Sequence, residues 1–157
     1  MIVSDATALI VLINIDRFEL FKMMFENIIL TQEVYDEVSI KPSAKKFIDA
    51  EIEAGFLRIE NYQDKIAFKE INFILDRGES ASIALAIEKK LPLIIDEKKG
   101  RKFAEHCGVE IIGLVGILRF IYVHKLLSKK EVLDIIEAFN QSDFRIREPL
   151  KITSLTA

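Results

Sequence analysis

Asp5, Glu37, Glu79 and Asp96 are four acids placed where local structure can turn a carboxylate toward one rim of a fold. Carboxylates gathered closely cannot all stay ionised without a counter-charge, because each raises the pKa of its neighbours. If the four meet, a hard divalent cation is the direct remedy. An oxygen-only ligand set without paired His or Cys favours magnesium or manganese over zinc or copper. Such an ion polarises an oxyanion substrate and activates water. No Ser, Cys or His constellation offers a covalent nucleophile, so water is the expected attacker. His106 and His124 fall on separate helical stretches, without a pattern such as H-E-x-x-H, and are expected as structural or surface residues.

The elements that must position these acids follow from the hydrophobic pattern. Asp5 closes the apolar run "MIVS" and Asp96 closes "LPLII", so both are predicted at the carboxyl ends of buried strands, on one edge of a sheet. For each, the competing role is a helix N-cap. "NIIL" at 27–30 and "VEII" at 109–112 predict further strands, and "FLRIE" a short extended piece. "TQEVYDEVS" opens on Thr31 as an N-cap and puts Val34 and Val38 on its buried side, with Glu37 bordering it. A solvated helix acid is the competing role for Glu37. After the helical stretches "SAKKFIDAEIEAG" and "QDKIAFKEINFILD", a turn around Gly78 leads into "ASIALAIEKK". There Glu79 shares a helical face with Ser82, Ile83 and Ala86, while Asp76 and Glu79 form a D-x-x-E pattern that also suits plain capping. In the tail, "SKKEVLDIIEAFN" keeps Val132, Ile135, Ile136 and Phe139 on one face. Strands alternating with helices predict an α/β layer sandwich with a mostly parallel sheet, whose ligands bind beyond the strands' carboxyl ends.

Directly after Asp96, Lys98, Lys99, Arg101 and Lys102 crowd the first turns of a helix, where the dipole disfavours cations. Lys98, Arg101 and Lys102 share a face opposite Phe103 and Cys107, a stripe suited to a phosphate backbone or to plain solvation.

Composition sets the bounds. A chain of 157 residues, half apolar and 30% charged, fits one domain over residues 1–157. A net charge of −3 argues against a protein that coats nucleic acid through surplus positive charge, and leaves room for a local basic patch. The lone Cys107 excludes a disulfide framework and a cysteine-rich zinc site, and fits a reducing compartment. The N-terminus lacks a basic leader, and Asp5 stands where a signal peptide needs apolar residues, so the expected location is the cytoplasm. The run from Gly113 is broken by Arg119, His124 and Lys125, short of the roughly 20 apolar residues a membrane span requires.

In their order and spacing these motifs resemble the PIN domain, a family of metal-dependent ribonucleases, and especially its VapC-like toxins. The resemblance rests on "VSDATALI", "LTQEVYDEV", "RGESASIALA", "LPLIIDEKKGRKFAEHCGVEIIG" and the closing "SDFRI", and spans nearly the whole chain. It implies a PIN-like three-layer sandwich, with Asp5, Glu37, Glu79 and Asp96 as metal ligands and catalytic residues for Mg²⁺ or Mn²⁺. It further implies RNA as substrate, an antitoxin partner and a homodimer. Thr7 matches the small hydroxyl of the family's first motif and, with Lys98, Arg101 and Lys102, is an expected substrate contact. The fourth motif departs from the commoner toxin pattern: "DEKKGR" puts Lys98 where a second acid follows the first by two residues. That departure supports the alternative, a catalytically weak PIN-fold interaction or regulatory module. A phosphoacceptor receiver domain fits less well, since it is expected to carry an acid pair at the end of its first strand, where "SDAT" has one acid.

Overall fold

The structure, a computed structural model, describes residues 1–142 and 150–156; of the closing "SDFRI" motif, all but Ser142 lies outside the described residues. A five-stranded sheet forms its centre: β1 (Ile2–Ser4), β2 (Ile28–Leu30), β3 (Leu57–Ile59), β4 (Leu93–Ile94) and β5 (Ile111–Ile112). Every pairing is parallel, in the order β3-β2-β1-β4-β5. Among the described residues, the mostly parallel sheet expected from the apolar runs is parallel in every pairing.

Strand periodicity explains why both faces are covered. Successive side chains on a strand point to opposite sides. Ile2, Ile28, Leu30 and Ile94 join one buried cluster, whereas Val3, Ile29, Leu93 and Ile95 join the other. The first is closed by α1 (Ala6–Asn14), α2 (Glu19–Met24), α3 (Gln32–Val38), α4 (Pro42–Glu53), α8 (Leu114–Val123) and α9 (Lys129–Gln141). The second is closed by α5 (Lys65–Asn72), α6 (Arg77–Lys89) and α7 (Lys98–His106). The result is helices, sheet, helices: the α/β three-layer sandwich that the resemblance implied.

Caps fix where the helices begin. Thr31 accepts from the Val34 amide at 3.2 Å, and Ser128 forms a capping box with Glu131 at the start of α9. Two boundaries differ from the sequence reading. The apolar pattern of 63–76 predicts one helical stretch, but α5 stops at Asn72, so Phe73 is 92% exposed while Leu75 returns to the core. The break around Gly78 sits instead at Asp76, whose carboxylate caps α6, and Gly78 lies in the first helical turn.

From β1 the chain builds outward through β2 and β3, then crosses back to place β4 on the other side of β1. The switch point therefore lies between β1 and β4. The Asp5 amide donates to the Ile94 carbonyl at 2.9 Å across that seam. Crevices of this kind, beyond the carboxyl ends of parallel strands, are where ligands bind in such sheets.

Candidate active site

Asp5 follows β1 directly and is 4% exposed. It holds the N-cap position of α1, yet its side chain makes no capping bond to that helix. Glu37 comes from the last turn of α3, which packs against both α1 and α6. Glu79 stands in the first turn of α6 and is 5% exposed. Asp96 lies two residues beyond β4. The cap of α7 is Glu97, so the capping role weighed for Asp96 does not apply there. Instead Asp96 reaches across to α8, its Oδ1 accepting from the Leu114 amide at 2.9 Å.

The sharpest sign of convergence is a point beside Gly78. A Cβ on that glycine would lie 3.6 Å from both Asp5 Oδ1 and Glu37 Oε2, and 3.8 Å from Asp76 Oδ1. Oxygens from three separate carboxylates thus surround one small volume at the strand ends. Glu79 turns to the neighbouring helix, where a Cβ on Gly100 would meet its Oε1 at 3.1 Å. Asp96 lies against Gly113, whose Cβ would stand 2.7 Å from its Oδ1.

Electrostatics ties these positions together. The Asp5 carboxyl is raised to about 7, chiefly by burial; the adjacent Ala6 amide opposes this, and the charges of Asp76, Glu37 and Asp96 reinforce it. Glu79 is raised to about 8, by burial first and then by Asp76, Asp5 and Glu97. Glu37 is raised by burial and by Asp76. Asp96 is raised to about 6 by burial, held down in part by the Leu114 amide and the Arg101 guanidinium. Each of the four acids nominated from the sequence therefore sits in this network, and Asp5 feels the charge of both Glu37 and Asp96.

Asp76 is the acid that sequence reasoning reduced to a cap. It does cap α6, accepting from the Glu79 amide at 2.8 Å. The same carboxylate also faces the shared point at Gly78 and presses on Asp5, Glu37 and Glu79. The D-x-x-E spacing carried that signal, since residues three apart share a helical face.

The expected substrate contacts divide. Lys98 and Lys102 are exposed on α7. Arg101 is half-buried, and its Nη1 donates to the Ile95 carbonyl at 2.9 Å beside Asp96, so it belongs to the rim rather than to an open stripe. Thr7 lines a cleft that it shares with Asp96. His106 and His124 are exposed, and neither is among the groups whose charge acts on Asp5, Glu37, Glu79 or Asp96.

A family model described as PIN domain matches residues 1–156. The chain belongs to the PIN domain family. PIN domains are nucleases in general, act on nucleic acid and generally use divalent metal ions. No curated protein matches the chain. Among the described residues, no three His, Cys, Asp or Glu side chains are arranged as a closed metal site. The donor set nonetheless suits a hard cation. It is all carboxylate, three oxygens surround one point, and Asp96 Oδ2 is buried without a hydrogen-bond partner. The acids of this PIN domain are gathered but not drawn shut.

Proposed function

We propose that this PIN domain is a metal-dependent endoribonuclease that hydrolyses RNA phosphodiester bonds, with Asp5, Glu37, Glu79 and Asp96 holding Mg²⁺ or Mn²⁺. The observation that carries the reading is the convergence beside Gly78, where Asp5 Oδ1 and Glu37 Oε2 come within 3.6 Å, and Asp76 Oδ1 within 3.8 Å, of the point a Cβ on that glycine would occupy. Structural acids gain nothing from such crowding, whereas ligands awaiting a cation need it. When bound, the ion supplies charge to polarise the phosphate and to lower the pKa of an attacking water.

The side chains have distinct tasks. Asp5 and Asp96 flank the switch point and would hold the ion through their carboxylates. Glu37 and Glu79 would add oxygens to that set from α3 and α6. Asp76 orients the first turn of α6 through the Glu79 amide. Lys98 and Lys102 on α7 attract the RNA backbone, and Arg101 steadies the segment that carries Asp96.

The same reading makes residues 1–157 one domain, acting in the cytoplasm as the VapC-like toxin of a toxin–antitoxin pair. Exposed Phe120, Val123 and Leu126, at 40%, 54% and 45%, support a homodimer through the end of α8. No helix among the described residues is long and apolar enough to cross a membrane.

The test is direct. Purified Asp5→Asn and Asp96→Asn proteins should fold but lose RNA cleavage in Mn²⁺; cleavage at the wild-type rate refutes the assignment. A second reading, a catalytically weak interaction module, draws on Lys98 in the fourth motif and on Arg101 beside Asp96. Calorimetric titration with Mn²⁺ separates the two, since the weak module takes up little or no ion.

A further inference from the structure

We propose that the cleft beside Asp96 is a nucleobase subsite, seating the base of a nucleotide that adjoins the phosphate held at the carboxylates. The inference rests on the nuclease reading above. The cleft has a volume of about 660 Å³ and runs from Thr7 and Asp96 along α1 toward the end of α9. That is within the range of about 300–1,000 Å³ typical of sites that enclose small ligands. Its walls are apolar, formed by Ile10, Val11 and Ile15 on one side and Ala138 on the other. Two side-chain amides, Asn14 and Gln141, stand among them.

Charge selects which part of a nucleotide fits. Among the described lining residues there is no Lys or Arg, while Asp96 and Glu97 bound the cleft. Inside the cleft a second phosphate would meet Glu97, which the nuclease reading leaves without a cation, and no basic side chain among the described lining to offset it. A neutral base, with apolar faces and polar edges, is matched by both walls and amides. Connectivity points the same way. RNA whose phosphate lies at Asp5 and Asp96 carries a nucleoside covalently next to that phosphate, and this cleft opens from Asp96 itself. The phosphate-attracting side chains Lys98 and Lys102 lie on α7 and do not line the cleft.

Single-stranded RNA is read by unstacking bases and bonding to their edges, and Asn and Gln amides offer a donor beside an acceptor. Asn14 is exposed. Gln141 is steadied by its own helix, Nε2 donating to Glu137 Oε1 at 3.2 Å, which leaves its carbonyl oxygen as an acceptor. The apolar walls supply burial of the base faces, and the amides supply the choice among bases.

The experiment measures kcat/KM in Mn²⁺ for a short RNA with one defined cut, varying the nucleotide on each side of the cut among the four bases and an abasic residue. The expected result is a loss of roughly 5- to 100-fold for the abasic residue on one side only, as for the loss of one seated base. The N14A/Q141A double variant should level the four bases while keeping the abasic penalty, and Ile10→Asp should remove the penalty itself. Equal cutting of abasic and intact substrates by the wild type overturns the proposal and leaves the nuclease reading standing. An unchanged base preference in N14A/Q141A does the same. If the wild type cuts no RNA at all, both readings fall together.

Discussion

Asn at position 5 should make the protein more stable and less active, with the stability gain growing as pH rises. The carboxyl of Asp5 is 4% exposed and is raised from an ordinary value of 3.8 to about 7. A raised folded pKa means that the folded chain holds its proton more tightly than the unfolded chain. The associated stability is complete below about pH 4 and is lost progressively up to about pH 7. At about 1.4 kcal/mol per pH unit, ionised Asp5 costs the folded state about 4 kcal/mol at pH 8. Over the accessible window from pH 5 to pH 8, roughly 2–3 kcal/mol of that loss remains to be seen. Asn keeps the shape and an acceptor for the Ala6 amide, but has no proton to lose. Urea unfolding in a chelator should therefore show wild-type stability falling between pH 5 and pH 8. Asp5→Asn should fall less, and the gap between the two midpoints should widen by about 1–2 M. Excess Mn²⁺ should restore the wild type at pH 8 through ligand linkage and do far less for the variant. Parallel pH curves for the two proteins would refute the claim that burial suppresses the charge of Asp5.

Four further outcomes follow from the geometry. Gly78→Ala meets only ordinary contacts of 3.6–3.8 Å, so it should fold with a gain of about 0.5–1 kcal/mol; its methyl occupies the shared point, however, and Mn²⁺ affinity by calorimetry should fall about tenfold or more. Gly100→Ala puts a Cβ 2.7 Å from Ile95 Cδ1 and 3.1 Å from Glu79 Oε1, and thermal or urea unfolding should show a loss of about 1–3 kcal/mol. Arg101→Gln removes the cation that holds Asp96 down, so the acid limb of the cleavage–pH profile should move to higher pH; an unmoved limb excludes that coupling. Glu79→Gln should cost cleavage on the order of a hundredfold in a gel assay at pH 7, with the fold retained by circular dichroism.

The strands were legible because each is a short apolar run whose residues serve both faces of the sheet. Val3 and Ile94 show it: the sequence makes them uniformly apolar, and the fold assigns them to opposite clusters. The placement of Asp5 and Asp96 followed from strand ends alone, and that of Glu37 from its border position beside Val34 and Val38. Other features were hidden for identifiable reasons. Phe73 continues a helical apolar pattern, so no periodicity argument reveals that α5 ends one residue earlier and leaves the ring 92% exposed. Arg101 was assigned to a stripe because a helical wheel knows only its own helix. The Ile95 carbonyl that captures its guanidinium belongs to the preceding strand end. Asp76 was obscured by a sufficient local explanation, capping, which is true and incomplete.

The division between burial and charge at this site also decides how protons and metal compete. Asp5 and Glu79 are raised by burial more than by any neighbour, so moving one acid would leave the largest cause in place. At pH 7 both are still substantially protonated, so a cation held by their oxygens would displace those protons. Ion affinity should therefore climb from pH 6 to pH 8, with net proton release on binding. Calorimetry in two buffers of different ionisation enthalpy reads that release directly, and an absence of proton release would mean that the acids are already ionised in the free protein. Asp96 differs: burial raises it only to about 6, because the Leu114 amide and Arg101 oppose the rise, so it is mostly charged at neutral pH. Of the three, Asp96 would therefore give up the least proton to a bound cation, and Asp5 and Glu79 the most.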